Sequence, residues 1–284
     1  MNSMRPLPLG GDLPVRRLGF GTGQLTGTGY WGPRGEPAAA VAVLRRAVEL
    51  GVTLVDTADN YGPAIAEELV AQALHPYAAD SAADVVVATK GGVVRTGPNV
   101  WHIEGSPRRL REMCEASLRR LRVDTIDLYQ LHRFDPEVPM AEQLGALAEL
   151  KEQGKIRHIG LTTITSDDLD AALKITDIAS VQNRYNLLDR AAEPLLKQCE
   201  ERGIAFLPWF PLGHGALTED PVCAEIARAH DATPGQIALA WLLQHSPVLC
   251  PSPGTGSLGH LEENLAAAAI RLSPEEVARL DALA

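Results

Sequence analysis

The chain alternates short apolar runs with helix-like segments along nearly its whole length. Eight of these runs are rich in valine, isoleucine and leucine, as expected for parallel strands buried on both faces. Several of the intervening segments begin at a proline and end at a glycine, which is typical of helices. Eight such β-then-α units in 284 residues predict one α/β domain spanning 1–284, a (β/α)8 barrel of the TIM type. The predicted strands are 16–22, 52–56, 84–90, 125–132, 156–162, 178–183, 203–209 and 247–253.

Two segments near the start of the chain refine this prediction. Residues 6–19 hold a Gly-Gly turn between short apolar pieces, and we expect a β-hairpin that plugs the bottom of the barrel. A doubly wound sheet would need a third glycine in the turn after the first strand. Gln24 stands at that position and disfavours this rival fold. The predicted helices are 37–51, 64–74, 106–121, 140–154, 166–175, 191–203, 233–245 and 273–283.

The overall charge restricts the possible partners. A formal net charge of −10 is unfavourable for binding a nucleic acid backbone. We expect neither a membrane span nor a secretion signal, and therefore a cytoplasmic protein, with a monomer favoured. The four cysteines are too sparse for a metal site or a disulfide framework, so we expect reduced, buried thiols and no metal.

Polar residues follow three consecutive predicted strands. Asp56 ends the second strand and Tyr61 lies just beyond it, Lys90 ends the third strand, and His132 ends the fourth. Each residue alone is compatible with a structural role, as a cap, a packed ring or a solvated charge. Catalytic groups of (β/α)8 barrels lie at the carboxyl ends of the strands, so the four together predict an active site.

These four residue types suit the reduction of a carbonyl group. Hydride delivery to the carbonyl carbon leaves charge on oxygen, which must receive a proton, and the Tyr61 hydroxyl is a suitable donor. The ammonium of Lys90 would lower the pKa of Tyr61, and Asp56 would hold Lys90 in place. His132 could hydrogen-bond and orient the carbonyl oxygen.

The same stretches resemble the aldo-keto reductase superfamily over almost the whole chain. The motifs are LGFGTGQL, VDTADNYG, VVVATKGG, YQLH, GKIRHIGLTT, VQNRYNLLDR, FLPWFPLGHG and PGTGSLGHLEEN. The resemblance implies NADPH bound across the rim of the barrel, no metal, and the roles given above for Asp56, Tyr61, Lys90 and His132. The sequence features GYWGP and PGTGS are most similar to the short bacterial, pyridoxal-reductase-like branch.

The resemblance also implies a set of cofactor-binding residues, with two departures. Thr162–Thr163 replace the usual Ser-Asn pair at the nicotinamide carboxamide. The adenosine loop has Gly256 and His260 where many members place an arginine against the 2′-phosphate, so NADPH is the expected cofactor and NADH is possible. The implied cofactor-binding residues are Gly21, Thr22, Asp56, Thr162, Thr163, Gln182, Trp209, Phe210, Pro211, Leu212, Gly213, Gly215, Gly254, Thr255, Ser257, His260, Glu263 and Asn264.

The substrate is expected to be a small carbonyl compound, and a pyridoxal-type compound is one candidate. Candidate walls for its pocket are Tyr30, Trp31, Trp101 and Phe134. Other functions remain open at this stage. Lys90 could form a Schiff base in a barrel aldolase, a metal could bind Asp56, Asp59 and His132, or the protein could be a sensor subunit that binds NADPH without turnover.

Overall fold

The computed structural model describes residues 5–77, 85–213 and 220–284. Strands and helices alternate through these ranges, as the sequence predicts. The strands are β1 Leu7–Leu9, β2 Leu13–Val15, β3 Phe20–Gly21, β4 Leu54–Asp56, β5 Val86–Gly91, β6 Val93–Gly97, β7 Val100–Ile103, β8 Ile126–Leu131, β9 Ile156–Thr162, β10 Ser180–Gln182 and β11 Ala205–Phe206. The α-helices are α1 Pro37–Glu49, α2 Ile65–Leu74, α3 Pro107–Leu121, α4 Met140–Glu152, α5 Ser166–Ala172, α6 Glu193–Arg202, α7 Pro221–Ala229, α8 Pro234–His245, α9 Leu258–Ala266 and α10 Pro274–Asp281.

A closed ring of parallel backbone segments forms the centre of the protein. Seven strands pair in the order β11-β10-β9-β8-β5-β4-β3, all parallel. The predicted eighth strand closes the ring through backbone hydrogen bonds on both sides. Cys250 N donates to Phe206 O on one side, and Gly19 N donates to Pro251 O on the other, each at 2.9 Å. The predicted (β/α)8 barrel is confirmed.

Most of the predicted strands are longer than the observed ones, whereas 156–162 coincides with β9. Only two residues of 16–22 and two of 203–209 are in regular strands. The strands of a closed barrel are staggered, so their ends lose a partner on one side and become rim loops. The helices α7 and α9 fall outside the predicted helical segments. In α7, Asp220 accepts a hydrogen bond from Cys223 N and Pro221 occupies the first turn.

The predicted hairpin plugs the end of the barrel opposite the catalytic rim. β1 and β2 pair antiparallel, and Leu9 and Val15 are buried beneath the barrel. Asp12, next to the turn, bonds Arg157 and His158 at the amino end of β9, at 2.8 and 2.6 Å. Apolar burial and these contacts together hold the plug in place.

A second hairpin, which the sequence analysis did not predict, lies at the other end of the barrel. β6 and β7 pair antiparallel in the connection between β5 and α3. The guanidinium of Arg95 on β6 donates to Tyr30 O and Gly29 O in the β3–α1 loop. It also lies 3.7 Å from the ring centroid of Trp101 on β7. The hairpin is thereby fixed to the loop beside the predicted catalytic residues.

The core is one apolar cluster that fills the barrel and the layer between strands and helices. Trp241, Tyr129 and Tyr185 are its largest fully buried side chains. All four cysteines are buried and unpaired, as predicted, and burial raises the pKa of each thiol to about 12. In the described ranges, no helix has both the length and the apolar character of a membrane span. The cellular compartment and the oligomeric state stay predictions.

Candidate active site

The four predicted catalytic residues meet at the carboxyl ends of three adjacent strands. Asp56 is the last residue of β4, Lys90 lies in β5, and His132 directly follows β8. β5 pairs with both β4 and β8, so the three side chains share one side of the rim. Tyr61 lies in the loop from β4 to α2 and completes the cluster; its ring centroid is 6.2 Å from that of His132.

A buried ion pair lies at the base of this cluster. Lys90 Nζ contacts Asp56 Oδ1 and Oδ2 at 2.9 Å each and donates to Thr57 O at 2.8 Å. The exposed fractions of Lys90 and Asp56 are 1% and 6%. Two amide groups complete the shell of Asp56. Gln130 Nε2 donates at 3.1 Å and Gln182 Nε2 at 3.2 Å, so this carboxylate is fully engaged.

Lys90 keeps its charge in this setting. Burial lowers the pKa of the Lys90 ammonium, but the charge of Asp56 and its hydrogen bonds more than offset this, and the net pKa is raised. Lys90 Nζ lies 5.2 Å from the centroid of the Tyr61 ring. A permanent positive charge therefore lies next to the phenol.

The structure corrects the predicted direction of the Tyr61 pKa. Burial raises this pKa, and the charge and hydrogen bonding of Lys90 lower it, but burial has the larger effect and the net shift is upward. The lowered pKa was predicted from the charge of Lys90 alone. Tyr61 therefore holds its proton firmly at neutral pH, and Lys90 favours the phenolate that forms when the proton leaves.

His132 is a neutral imidazole of one defined tautomer. Burial and the charge of Lys90 lower the pKa of His132 well below its ordinary value. Asn60 Nδ2 lies 3.1 Å from Val93 O and 2.9 Å from His132 Nδ1. A carbonyl oxygen can only accept, so the Asn60 atom in both contacts is the amide nitrogen, and His132 Nδ1 accepts from it. The ring proton is therefore on Nε2.

A groove of about 510 Å3 runs along the rim from Tyr61 to α9. One end holds Tyr61 and Trp209, and the other holds Ser257, whose hydroxyl caps α9 by accepting from His260 N. Glycine keeps the floor flat, because a Cβ on Gly254 would lie 2.5 Å from Gly21 O. The groove is lined by Gly21, Thr22, Gly23, Gln24, Tyr30, Arg34, Asp56, Tyr61, Gln182, Pro208, Trp209, Phe210, Pro211, Leu212, Ser252, Pro253, Gly254, Thr255, Gly256, Ser257 and His260.

This lining fits an extended dinucleotide. Trp209 offers an aromatic face for a flat ring, and the capped amino end of α9 favours a phosphate. Most of the predicted cofactor-binding residues lie in the groove wall. Those found there are Gly21, Thr22, Asp56, Gln182, Trp209, Phe210, Pro211, Leu212, Gly254, Thr255, Ser257 and His260.

The remaining predicted cofactor residues lie elsewhere. Thr162 is buried and its hydroxyl donates to His132 O, while Thr163 lines a neighbouring cavity. The carboxylate of Glu263 accepts from Thr233 Oγ1 at 2.7 Å, at the start of α8. Gly213 and Asn264 lie outside the groove lining. Gly215 falls outside the described residues, so its role stays a prediction.

Two of the four predicted substrate residues lie beside Tyr61 and His132. The ring of Tyr30 lies 5.6 Å from that of Tyr61, and Trp101 lies 6.3 Å from His132, measured between centroids. Phe134 lines a separate cavity of about 560 Å3 after β8. Trp31 is tied by its backbone to Gly62 and lines neither cavity.

The comparison with known proteins agrees with this geometry. The sequence model of the Aldo/keto reductase family matches residues 17–284. The chain belongs to the aldo/keto reductase family. The reductase is accordingly an NADP-dependent oxidoreductase, as the sequence predicted.

Relatives of the reductase cover nearly its whole length. An uncharacterized oxidoreductase of Schizosaccharomyces pombe is 47% identical over 95% of this chain and 87% of its own. Pyridoxine 4-dehydrogenase of Escherichia coli is 38% identical over 96% of each chain. An aldo-keto reductase from Klebsiella pneumoniae, solved in complex with NADPH, superposes with a TM-score of 0.85 at 29% identity, covering 99% of this chain and 95% of that one.

Sequence reasoning missed several residues of the reductase site. Gln130 holds Asp56 and Asn60 holds His132, and both lie inside motifs quoted for the resemblance, YQLH and VDTADNYG. Polar residues beside a catalytic group in such a motif were the available signal. Gln24 likewise lies in the quoted motif LGFGTGQL, whereas Arg34 in the groove carried no comparable signal, because it lies outside the quoted motifs.

We expect Asn60→Leu to lower kcat about tenfold, because tautomer control at His132 is lost while the imidazole remains. NADP+ binding should change little, since Asn60 does not line the groove. Nitrogen NMR of the ring should show a protonated Nε2 in the wild type and a mixture of tautomers in the variant. A protonated Nδ1 in the wild type, or unchanged kcat in the variant, would refute the assignment. Asn183→Leu, another amide at the strand ends, is the control.

Proposed function

We propose that the reductase converts the carbonyl group of an aldehyde or ketone to an alcohol, with Tyr61 as the proton donor and NADPH as the hydride source. The observation that carries this proposal is the buried Lys90–Asp56 pair next to the Tyr61 ring, in the wall of a groove that fits a dinucleotide. Family membership and the Klebsiella complex with NADPH support the cofactor.

Tyr61 is the group of the cluster suited to donate the proton. Lys90 is engaged by Asp56 and Thr57, and neutral His132 has one proton, on Nε2. Because its pKa is raised, Tyr61 is protonated when a substrate arrives. As charge develops on the carbonyl oxygen, the phenol gives up its proton and the adjacent ammonium stabilises the resulting phenolate.

His132 orients the substrate rather than acting as an acid. Its Nε2–H can donate to the carbonyl oxygen, while Asn60 holds Nδ1 from the other side. A neutral donor polarises the carbonyl without competing for the proton that Tyr61 supplies. The edge-to-face arrangement of the two rings, at 82°, places both groups on one side of the pocket.

Three side chains would hold the nicotinamide end of the cofactor. The hydride that it supplies is the reductant of the reaction. Trp209 would stack on the ring, and Asp56 and Gln182 lie in the groove wall beside it. The Gln182 amide nitrogen donates to Asp56, so its carbonyl oxygen is the atom left to accept from a carboxamide.

The geometry disfavours the other functions considered above. A Schiff base needs an uncharged lysine nitrogen, and Lys90 is held as an ammonium by Asp56. A metal site is disfavoured because the carboxylate of Asp56 is already engaged by Lys90, Gln130 and Gln182. Among the described residues, no cluster suited to a metal ion is found. A sensor without turnover would have no need of the intact catalytic cluster.

We propose aromatic aldehydes of the pyridoxal type as the substrate class. The support is the likeness to pyridoxine 4-dehydrogenase and two rings that could stack on a pyridine, Tyr30 beside Tyr61 and Trp101 beside His132. The test is NADPH oxidation with pyridoxal, benzaldehyde and aliphatic aldehydes, compared by kcat/KM. Pyridoxal should be at least about tenfold better than the aliphatic aldehydes, the size of effect that one stacked ring provides.

Three outcomes would contradict parts of this proposal. A preference for aliphatic aldehydes would refute the pyridoxal-type substrate but not carbonyl reduction. NADPH binding with no turnover of any aldehyde or ketone would favour the sensor function. A lysine adduct trapped by borohydride at Lys90 would favour the aldolase.

A further inference from the structure

An arginine from a different loop lies over the adenosine end of the groove. Arg34 belongs to the β3–α1 loop and is exposed to solvent. Its Nη1 donates to Gln24 O at 2.9 Å. A Cβ built on Gly256 would lie 3.7 Å from both Cζ and Nε of Arg34, so the guanidinium lies beside the PGTGS loop. Arg34 lines the groove together with Thr255, Ser257 and His260.

The charges along the groove leave this guanidinium available to an anion. Arg34, Asp56 and His260 are the ionisable side chains in the lining apart from the tyrosines, and Asp56 is already neutralised by Lys90. In the described ranges, no carboxylate pairs with Arg34. A guanidinium has five N–H donors, and the contact with Gln24 uses one of them. The others can bind a phosphate through two parallel hydrogen bonds.

We propose that Arg34 binds the 2′-phosphate of NADPH and thereby replaces the arginine that the adenosine loop lacks. This inference rests on the proposed function, because it assumes that the dinucleotide lies in the groove. Gly256 belongs to the same anion site. A longer side chain there would occupy the space that Arg34 crosses. The hydroxyl of Thr255 and the capped start of α9 at Ser257 complete the anion site.

The test measures the binding of NADP+ and NAD+ to the cofactor-free enzyme. The signal is the quenching of tryptophan fluorescence or the heat measured by calorimetry. Arg34→Gln should weaken NADP+ binding by at least about tenfold, the usual worth of a charge-assisted hydrogen bond, and leave NAD+ binding within about twofold. Arg34→Lys should weaken NADP+ binding less than Arg34→Gln does. Arg228→Gln, which removes an exposed arginine on α7, is the control. Adenosine 2′-monophosphate should lose affinity in Arg34→Gln, while adenosine 5′-monophosphate should not.

Each other outcome would overturn the inference. Equal weakening of NADP+ and NAD+ binding in Arg34→Gln would indicate that Arg34 contacts the pyrophosphate. Unchanged binding of both cofactors would show that Arg34 does not contact the dinucleotide. Salt gives a second measurement, because the preference for NADP+ should fall with ionic strength in the wild type and much less in Arg34→Gln. A wild-type enzyme that binds neither dinucleotide would refute the proposed function itself, which distinguishes the two failures.

Discussion

Tyr61→Phe is expected to lower kcat for carbonyl reduction by about 10²–10⁴-fold, the usual contribution of a general acid. The substitution removes one hydroxyl and keeps the ring, so the packing against Tyr30 and His132 should survive. NADP+ binding and thermal stability should therefore stay close to wild type. The measurement is kcat with a good aldehyde, together with the dissociation constant of NADP+.

Tyr30→Phe is the matched control for this prediction. It also removes a phenol hydroxyl from the groove wall, 5.6 Å away between ring centroids, but Arg95 has a larger electrostatic effect than Lys90 on that residue. We expect its kcat to stay within a few-fold of wild type. Comparable losses in the two variants would mean that the groove needs both rings as they are, not a proton donor at Tyr61.

Lys90→Met is expected to be at least as damaging as Asp56→Asn, since it removes the cation itself. Both losses should lie in the range of about 10²–10⁴-fold in kcat, and the double variant should be little worse than Lys90→Met alone, because residues that act as a unit are not additive. Without Lys90, nothing opposes the upward effect of burial on the Tyr61 pKa. Fully additive losses would refute the coupling.

Stability provides an independent view of the same pair. Removing one partner of a buried ion pair costs about 3–5 kcal/mol, because the other charge stays buried without compensation. Lys90→Met should therefore lower the free energy of unfolding, measured by denaturant titration, and Lys90→Met with Asp56→Asn should recover part of it. Arg46→Met, which removes a partner of exposed Glu49 and Glu262, should cost less than about 1 kcal/mol. An unchanged free energy of unfolding in Lys90→Met would contradict the burial of the pair.

The barrel and the catalytic cluster could be predicted because both depend on local signals. Each strand is an apolar run, and the residue that ends it identifies the rim, so Asp56, Lys90 and His132 are visible without any knowledge of the contacts between strands. The Gly-Gly turn likewise predicts the bottom hairpin. The β6–β7 hairpin was not predicted, because its two short strands lie between the predicted strand 84–90 and the predicted helix 106–121.

The second layer of the site could not be predicted, because it depends on contacts between distant segments. Asn60 and His132 are 72 residues apart, and Gln182 and Asp56 are 126 apart. The predicted direction of the Tyr61 pKa shift was wrong for the same reason, since the burial of Tyr61 depends on the folded rim. Arg34 is the clearest case. The adenosine loop alone suggested a missing arginine, and only the fold brings Arg34 to Gly256.

The central claim is that hydride transfer to a carbonyl carbon is coupled to proton donation from Tyr61. The most direct measurement follows the transfer of deuterium from NADPH, labelled at the reactive position, to an aldehyde in a single turnover, in wild type and in Tyr61→Phe with saturating cofactor. The account predicts deuterium on the carbinol carbon of the alcohol, and a rate at least about 10²-fold lower in Tyr61→Phe. Alcohol without deuterium, or equal rates in the two proteins, would contradict it.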